Sequence, residues 1–182
     1  DFKPIWRYSY SATYYLYDLM NKKLFPLSDE NKDLRNVKFA PTSDRIAYVR
    51  QDNNIYVYDI KRDRERRLTT SGSEFVSNGH FGWLYEEELT GFDAYRWSPD
   101  GKSICYWEED NSMVKDFSII DDLAQYPTIT KIKYPKAGET NPTLKIGVLR
   151  VSGAGKRWLD SAYVNNDYLS WMEWIDNERI AF

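Results

Sequence analysis

"FAPTSDRIAYV" (Phe39–Val49) and "WSPDGKSICYW" (Trp97–Trp107) match position for position, and that match decides the fold. Each copy is an aromatic residue, a tight polar turn, and then a strand with apolar residues at alternate places. In the second copy Pro99 presets φ and Gly101 accepts a positive φ, which is turn chemistry. A third copy, "WIDNERIAF" (Trp174–Phe182), has a turn shorter by two residues. A second unit alternates with the first. "YLYDLMNKKLFPL" (Tyr15–Leu27) parallels "IYVYDIKRDRERRL" (Ile55–Leu68) and, more loosely, "KIGVLRVSGAGKRWL" (Lys145–Leu159). Here a strand ends in a charged turn and a return strand follows.

Period-two runs rich in Tyr, Val and Ile predict strands at Thr13–Asp18, Arg45–Arg50, Asn54–Ile60, Ser103–Trp107, Thr143–Val151 and Tyr168–Ile175. Helical periodicity is scarce, and Leu84–Phe92 is the one helix-like stretch worth naming. Alternating the two units gives antiparallel meanders of about four strands, which are the blades of a β-propeller. A β-sandwich of similar hairpins is the competing arrangement, but the repeated aromatic-x-Pro turn favours blades. The expected fold is therefore all-β: a partial β-propeller of about three four-stranded antiparallel blades, with a short helical insertion carrying Glu86, Glu87 and Glu88. The interval from Ile104 to Ile180 exceeds that from Ile46 to Ile104, so the excess falls in insertions. The first contains the three glutamates; the second contains Asp121–Ile132 and "YPKAGETNP" (Tyr134–Pro142). Insertions in a repeat tend to gather on one face, often the binding face.

Composition narrows the function. The 182 residues carry 25 Lys and Arg against 28 Asp and Glu, a net charge of −3, without the basic excess of a nucleic-acid binder. Aromatics at 16% exclude a disordered chain. The single cysteine, Cys105, excludes an internal disulfide and a multi-cysteine metal site. No apolar run approaches the ~20 residues that span a bilayer. The chain opens on Asp1-Phe2-Lys3 and stops at "ERIAF" inside a predicted strand, so it reads as a piece of a longer protein.

Little catalytic chemistry is present. The only histidine, His80, lies in "SNGHFGW" and reads as a polar surface residue rather than a triad member. No G-x-S-x-G elbow appears. "SGAGK" (Ser152–Lys156) is too short for a phosphate loop and reads as a hairpin cap. Zinc motifs are absent, and the aromatic surroundings of the glutamates do not suit a calcium loop. Neighbouring glutamates on one short segment also fit poorly with glycoside hydrolysis, whose two carboxyl groups flank a sugar. What remains is "WLYEEEL" (Trp83–Leu89): three adjacent carboxylates fenced by Trp83, Tyr85 and Leu89. It is either a solvated acidic turn or a seat for a cation.

Several stretches together resemble the dipeptidyl peptidase IV family. In that family an aspartate-tryptophan pair leads into a tyrosine and a run of glutamates. Trp83, Tyr85, Glu86, Glu87 and Glu88 match, while Gly82 stands at the aspartate position. The blade turn Trp97-Ser98-Pro99 and the motif formed by Tyr134, Pro135, Lys136, Ala137, Gly138, Asn141 and Pro142 also match, as do Trp6, Arg7, Tyr17 and Asp18 upstream. The resemblance covers essentially the whole chain, in order. It implies the N-terminal propeller of a serine exopeptidase whose triad lies in a C-terminal α/β-hydrolase domain, so this chain supplies no catalytic residue. It implies that Glu87 and Glu88 bind the free amino group of a peptide substrate, that Glu86 faces solvent, and that Arg7 holds a substrate backbone carbonyl. An amine held two residues from the distant serine sets release of dipeptides of the Xaa-Pro or Xaa-Ala kind. The family further implies a homodimer with Asp121–Lys136 as an interface, no cofactor, no metal and no nucleic acid. Export to the periplasm or cell surface is expected, and the lack of N-x-S/T sequons accords with a bacterial member. The rival reading is a non-catalytic interaction propeller, because fold alone does not choose a function.

Overall fold

A computed structural model of the chain describes residues 2–28, 32–159 and 168–182. Its centre is an antiparallel meander of Arg35–Phe39, Arg45–Val49, Ile55–Asp59 and Arg64–Arg67, paired in that order. The next sheet is built on Ser103–Asp110. Along one edge this strand pairs for eight residues with Thr143–Arg150, from Ser103 opposite Arg150 to Asp110 opposite Thr143, and Lys156–Trp158 follows outside. Its other edge is shared by two short segments, Val76–Asn78 and Tyr95–Trp97. Two-stranded hairpins flank these sheets: Phe2–Pro4 with Tyr10–Ala12, Tyr15–Asp18 with Lys23–Pro26, and Glu173–Trp174 with Ile180–Ala181.

Period-two alternation stacks these sheets. Side chains on a strand point alternately to its two faces. Ile46 and Tyr48 pack with Leu27, Leu34 and Tyr58 on one side of the first sheet. Ala47 and Val49, on the other side, join Ile55 and Val57 against Ile104, Tyr106, Tyr95 and Leu149 of the second. The remaining face of Ser103–Asp110 contributes Cys105 and Trp107 to a third cluster with Phe81, Leu84, Tyr85 and Met172. Each face thus buries large apolar side chains, at roughly 1.5–3 kcal/mol apiece.

The matched turns explain the sequence repeat. Gly101 has φ 65°, and Ser43, its equivalent in the first copy, takes φ 57° without being glycine. Both close the same way: Gly101 donates its N–H to Ser98 and Ser43 to Ala40. The strand–turn–strand units within Tyr15–Leu27, Ile55–Leu68 and Lys145–Leu159 form as read, and Gly153 and Gly155 turn the "SGAGK" loop at φ 81° and 89°.

Three expectations differ. The Tyr168–Ile175 run is a strand only at Glu173–Trp174, where Ile180–Ala181 offers a partner. The strand expected to end at Trp107 continues through Glu108 and Glu109 to Asp110, because Val76–Asn78 and Thr143–Lys145 pair with that charged end. The second insertion is a hairpin of its own, Asp116–Asp121 with Thr128–Lys133, with Ile119, Ile120, Leu123, Tyr126 and Ile129 exposed. Among the described residues only Trp83–Leu89 forms an α-helix, and it is far shorter than a membrane span.

Candidate functional site

The helix grows out of an interrupted strand. Residues 79–94 leave the sheet between Val76–Asn78 and Tyr95–Trp97, both of which lie on Ser103–Asp110. The neck is pinned by Trp107, whose C=O accepts from Gly79 and whose N–H donates to Ala94. Gly79 has φ 78°, and a Cβ there would meet Ile55 Cγ1 at 2.8 Å. The neighbouring sheet adds a clamp. Its first strand bulges between Arg35 and Lys38, with Asn36 at φ 52°. The Asn36 Nδ2 donates to the carbonyls of Gly79 at 2.9 Å and Phe92 at 3.2 Å, across the neck.

The helix starts without a side-chain cap of its own, since Gly82 is its N-cap residue. Glu109 on the adjoining strand takes that role: its Oε2 accepts the Gly82 N–H at 2.5 Å. Glu109 is fully buried, and burial pushes its pKa up to about 7. A Cβ at position 82 would stand 3.3 Å from that same Oε2, so an acidic side chain there would face a second carboxylate. The Gly82 departure from the family pattern and Glu109 therefore belong together. The helix ends where Thr90 turns left-handed at φ 54° and Gly91 donates to the Tyr85 carbonyl. Leu84 and Tyr85 face the core, with Tyr85 stacked on Phe81 at 4.6 Å. Tyr85 is therefore a packing residue rather than part of a fence around the glutamates. Trp83 packs on Tyr134 at 4.7 Å, which joins two of the stretches that carried the resemblance.

The three glutamates have three environments. Glu88 is exposed and has no ion pair among the described residues. Glu87 is mostly covered and its Oε2 meets Arg7 Nε at 2.8 Å. Arg7 lies at the tip of the Phe2–Ala12 hairpin, which Ile5 N–H closes onto the Ser9 carbonyl. The structure thus brings Arg7 and Glu87 together, with Glu88 next along the helix. Glu86 overturns the expectation that it faces solvent, because it is completely buried. Its Oε1 accepts the backbone N–H groups of Tyr8 at 2.6 Å and Ser9 at 2.7 Å, so peptide donors replace the water an exposed carboxylate would use.

His80 also departs from its expected surface role. Its ring lies between Asn53 Oδ1 at 2.9 Å and the Arg35 guanidinium at 3.5 Å. Burial and Arg35 push its pKa down to about 3, so it is neutral. Among the described residues no serine hydroxyl or carboxylate bonds to the ring, so it seeds no triad.

Chemically, the arrangement is one exposed carboxylate, a second whose charge is partly offset by a guanidinium, and a third used for bonding inside the protein. Carboxylates accept only, and an ammonium donates only, so the pair is complementary. Sequence reasoning missed the roles of Glu86, Glu109 and Asn36. A seven-residue helix is too short to show which of three glutamates turns inward, and Glu109 and Asn36 act on a segment distant in sequence.

The family described as the dipeptidyl peptidase IV (DPP IV) N-terminal region matches residues 1–182. Among curated relatives, prolyl endopeptidase FAP of Mus musculus is 34% identical over 191 residues, covering 100% of this chain and 25% of that protein. Dipeptidyl peptidase 4 of Sus scrofa is 31% identical over 190 residues, covering 97% of this chain and 25% of its own. The crystal structure of Porphyromonas gingivalis dipeptidyl peptidase 4 superposes with a TM-score of 0.81 at 32% identity, covering 88% of this chain and 23% of that one. The chain spans about a quarter of the length of these curated relatives.

Proposed function

Because this chain belongs to the dipeptidyl peptidase IV N-terminal region family, we propose that it is the substrate-gating, N-terminus-recognising propeller segment of a serine dipeptidyl peptidase. In this reading Glu87 and Glu88 bind the free amine of the peptide, and Arg7 both balances Glu87 and holds a substrate carbonyl. The observation that carries it is the Arg7–Glu87 pair at 2.8 Å beside Glu88, which has no ion pair among the described residues, on a helix that an interrupted strand projects from the sheet. Two side chains one apart on a helix do not face each other. An amine is therefore shared where it sits at the helix edge between them.

The rest of the reading is our inference from family membership. The sheets make up about three blades of a ring, and the helix is an insertion from a blade's first strand toward the ring's axis. The hydrolase domain lies beyond this chain in sequence and supplies the nucleophile. Dipeptides of the Xaa-Pro or Xaa-Ala kind are released because the amine seat fixes the distance to that nucleophile. Asp121–Lys136, most of it in the exposed hairpin, contributes to a homodimer, and the protein is exported to the periplasm or cell surface.

The experiment compares a free-amine dipeptidyl amide with its N-acetylated form on the full-length protein. The acetylated substrate is expected to lose at least about tenfold in kcat/KM, roughly 1.4 kcal/mol. Equal turnover of the two would remove the amine seat from the account.

A further inference from the structure

We propose that Glu86, the first of the three glutamates, is a positioning residue that seats the Arg7-bearing hairpin tip on the helix. The proposal rests on the reading of Glu87 and Glu88 as the amine site and assigns what sets that site's geometry.

Arg7 needs an external constraint. Its side chain is 66% exposed, so packing does not fix it, yet its Nε lies 2.8 Å from Glu87. The residues that follow it supply the constraint. The N–H groups of Tyr8 and Ser9 both bond to one oxygen of Glu86, at 2.6 and 2.7 Å. Apart from the Arg7 ion pair, these are the hydrogen bonds that join the hairpin tip to the helix among the described residues. They anchor the backbone one residue from Arg7, and they arise one residue from Glu87 on the helix side. Each partner of the ion pair is thus adjacent in sequence to one partner of the clasp.

The chemistry suits a clasp. A carboxylate only accepts, and bonds from peptide N–H groups to a charged oxygen are short and strong. Removing the acceptor leaves two donors at a part-buried joint unpaired, and lifting the tip into water satisfies them. Lifting the tip carries Arg7 away from Glu87. The loss of Glu86 should therefore appear as a loss of Arg7 function, with substrate binding affected more than the chemical step.

The test is a double-mutant cycle on the full-length protein with a free-amine dipeptidyl amide. Arg7→Ala alone is expected to lower kcat/KM about tenfold or more. Glu86→Ala is expected to raise KM about tenfold while kcat stays within about threefold. In the Glu86→Ala background, Arg7→Ala should cost less than about twofold, because contacting groups acting as a unit are not additive. Glu86→Gln keeps a carbonyl acceptor and should hold KM within about threefold of wild type. If Glu86→Ala does not fold, Glu86→Met carries the cycle. Losses that multiply, or a fall in kcat with KM unchanged, would overturn the positioning role. Glu87→Gln is the reference: if it is costly while the cycle is additive, only the clasp fails. If Glu87→Gln is itself silent, the amine-site reading fails and the clasp falls with it.

Discussion

At the scale of single residues, identical neighbours in sequence have divided their work by burial. Glu86 lies inside and holds backbone, Glu87 is shared with Arg7, and Glu88 is exposed. Nothing in "EEE" distinguishes them, so the residue type at the site was legible in the sequence but the inward-facing member was not. Glu109 shows the same limit, because its partner Gly82 lies on another element. It also carries a pH dependence. Its pKa in the folded protein is pushed up to about 7, above that of an ordinary glutamate. Between these values the native state holds a proton that the unfolded chain has released, so stability falls as pH rises through that window and is flat above it. Glu109→Gln should remove this slope. Thermal melts from pH 5 to 8 are expected to show the variant gaining on wild type by about 1–3 kcal/mol at the alkaline end. Parallel curves would mean that Glu109 is not held protonated.

At the scale of elements, the repeat was readable because turns have few solutions. Ser43 and Gly101 occupy the same left-handed position, and the alternation after each turn places Ile46 and Ala47, or Ile104 and Cys105, on opposite faces. Strand ends were less readable. Ser103–Asp110 ends in charged residues that look like a loop until partners on both edges are known. The helix neck was not readable at all, because it depends on Asn36 in the neighbouring sheet. Asn36→Ala removes both bonds across the neck and places alanine at φ 52°. Each net bond is worth about 0.5–1.5 kcal/mol, so the variant should lose roughly 1–3 kcal/mol. Hydrogen exchange should accelerate first at Gly79, Ala94 and the helix. Uniform acceleration across all sheets would show that the neck has no separate support.

At the scale of the whole molecule, the proposed amine seat is assembled from distant parts of the chain: a hairpin tip near residue 7, a helix near residue 87, and Tyr134 behind Trp83. The repeat made the sheets legible, and the family resemblance the residue types of the candidate site; the connections among these parts came only from the fold. Prepared alone, the chain leaves Tyr15, Tyr17 and Leu24 on one exposed hairpin and Ile119, Ile120 and Leu123 on another. Exposed apolar faces and sheet edges favour pairing with other chains. Sedimentation of the isolated chain is expected to show self-association, and a monomer at all concentrations would contradict this. Replacing Glu87 and Glu88 in turn with Gln in the full-length protein, and measuring kcat/KM on free-amine and N-acetylated substrates, decides whether they hold a substrate amine. Removing one charged partner costs ~2–5 kcal/mol, so each variant should lose roughly thirtyfold to several thousandfold on the free amine. Each should lose little on the acetylated substrate, where that interaction is already gone. Losses of equal size on both substrates, or no loss from either variant, would show that Glu87 and Glu88 hold no substrate amine.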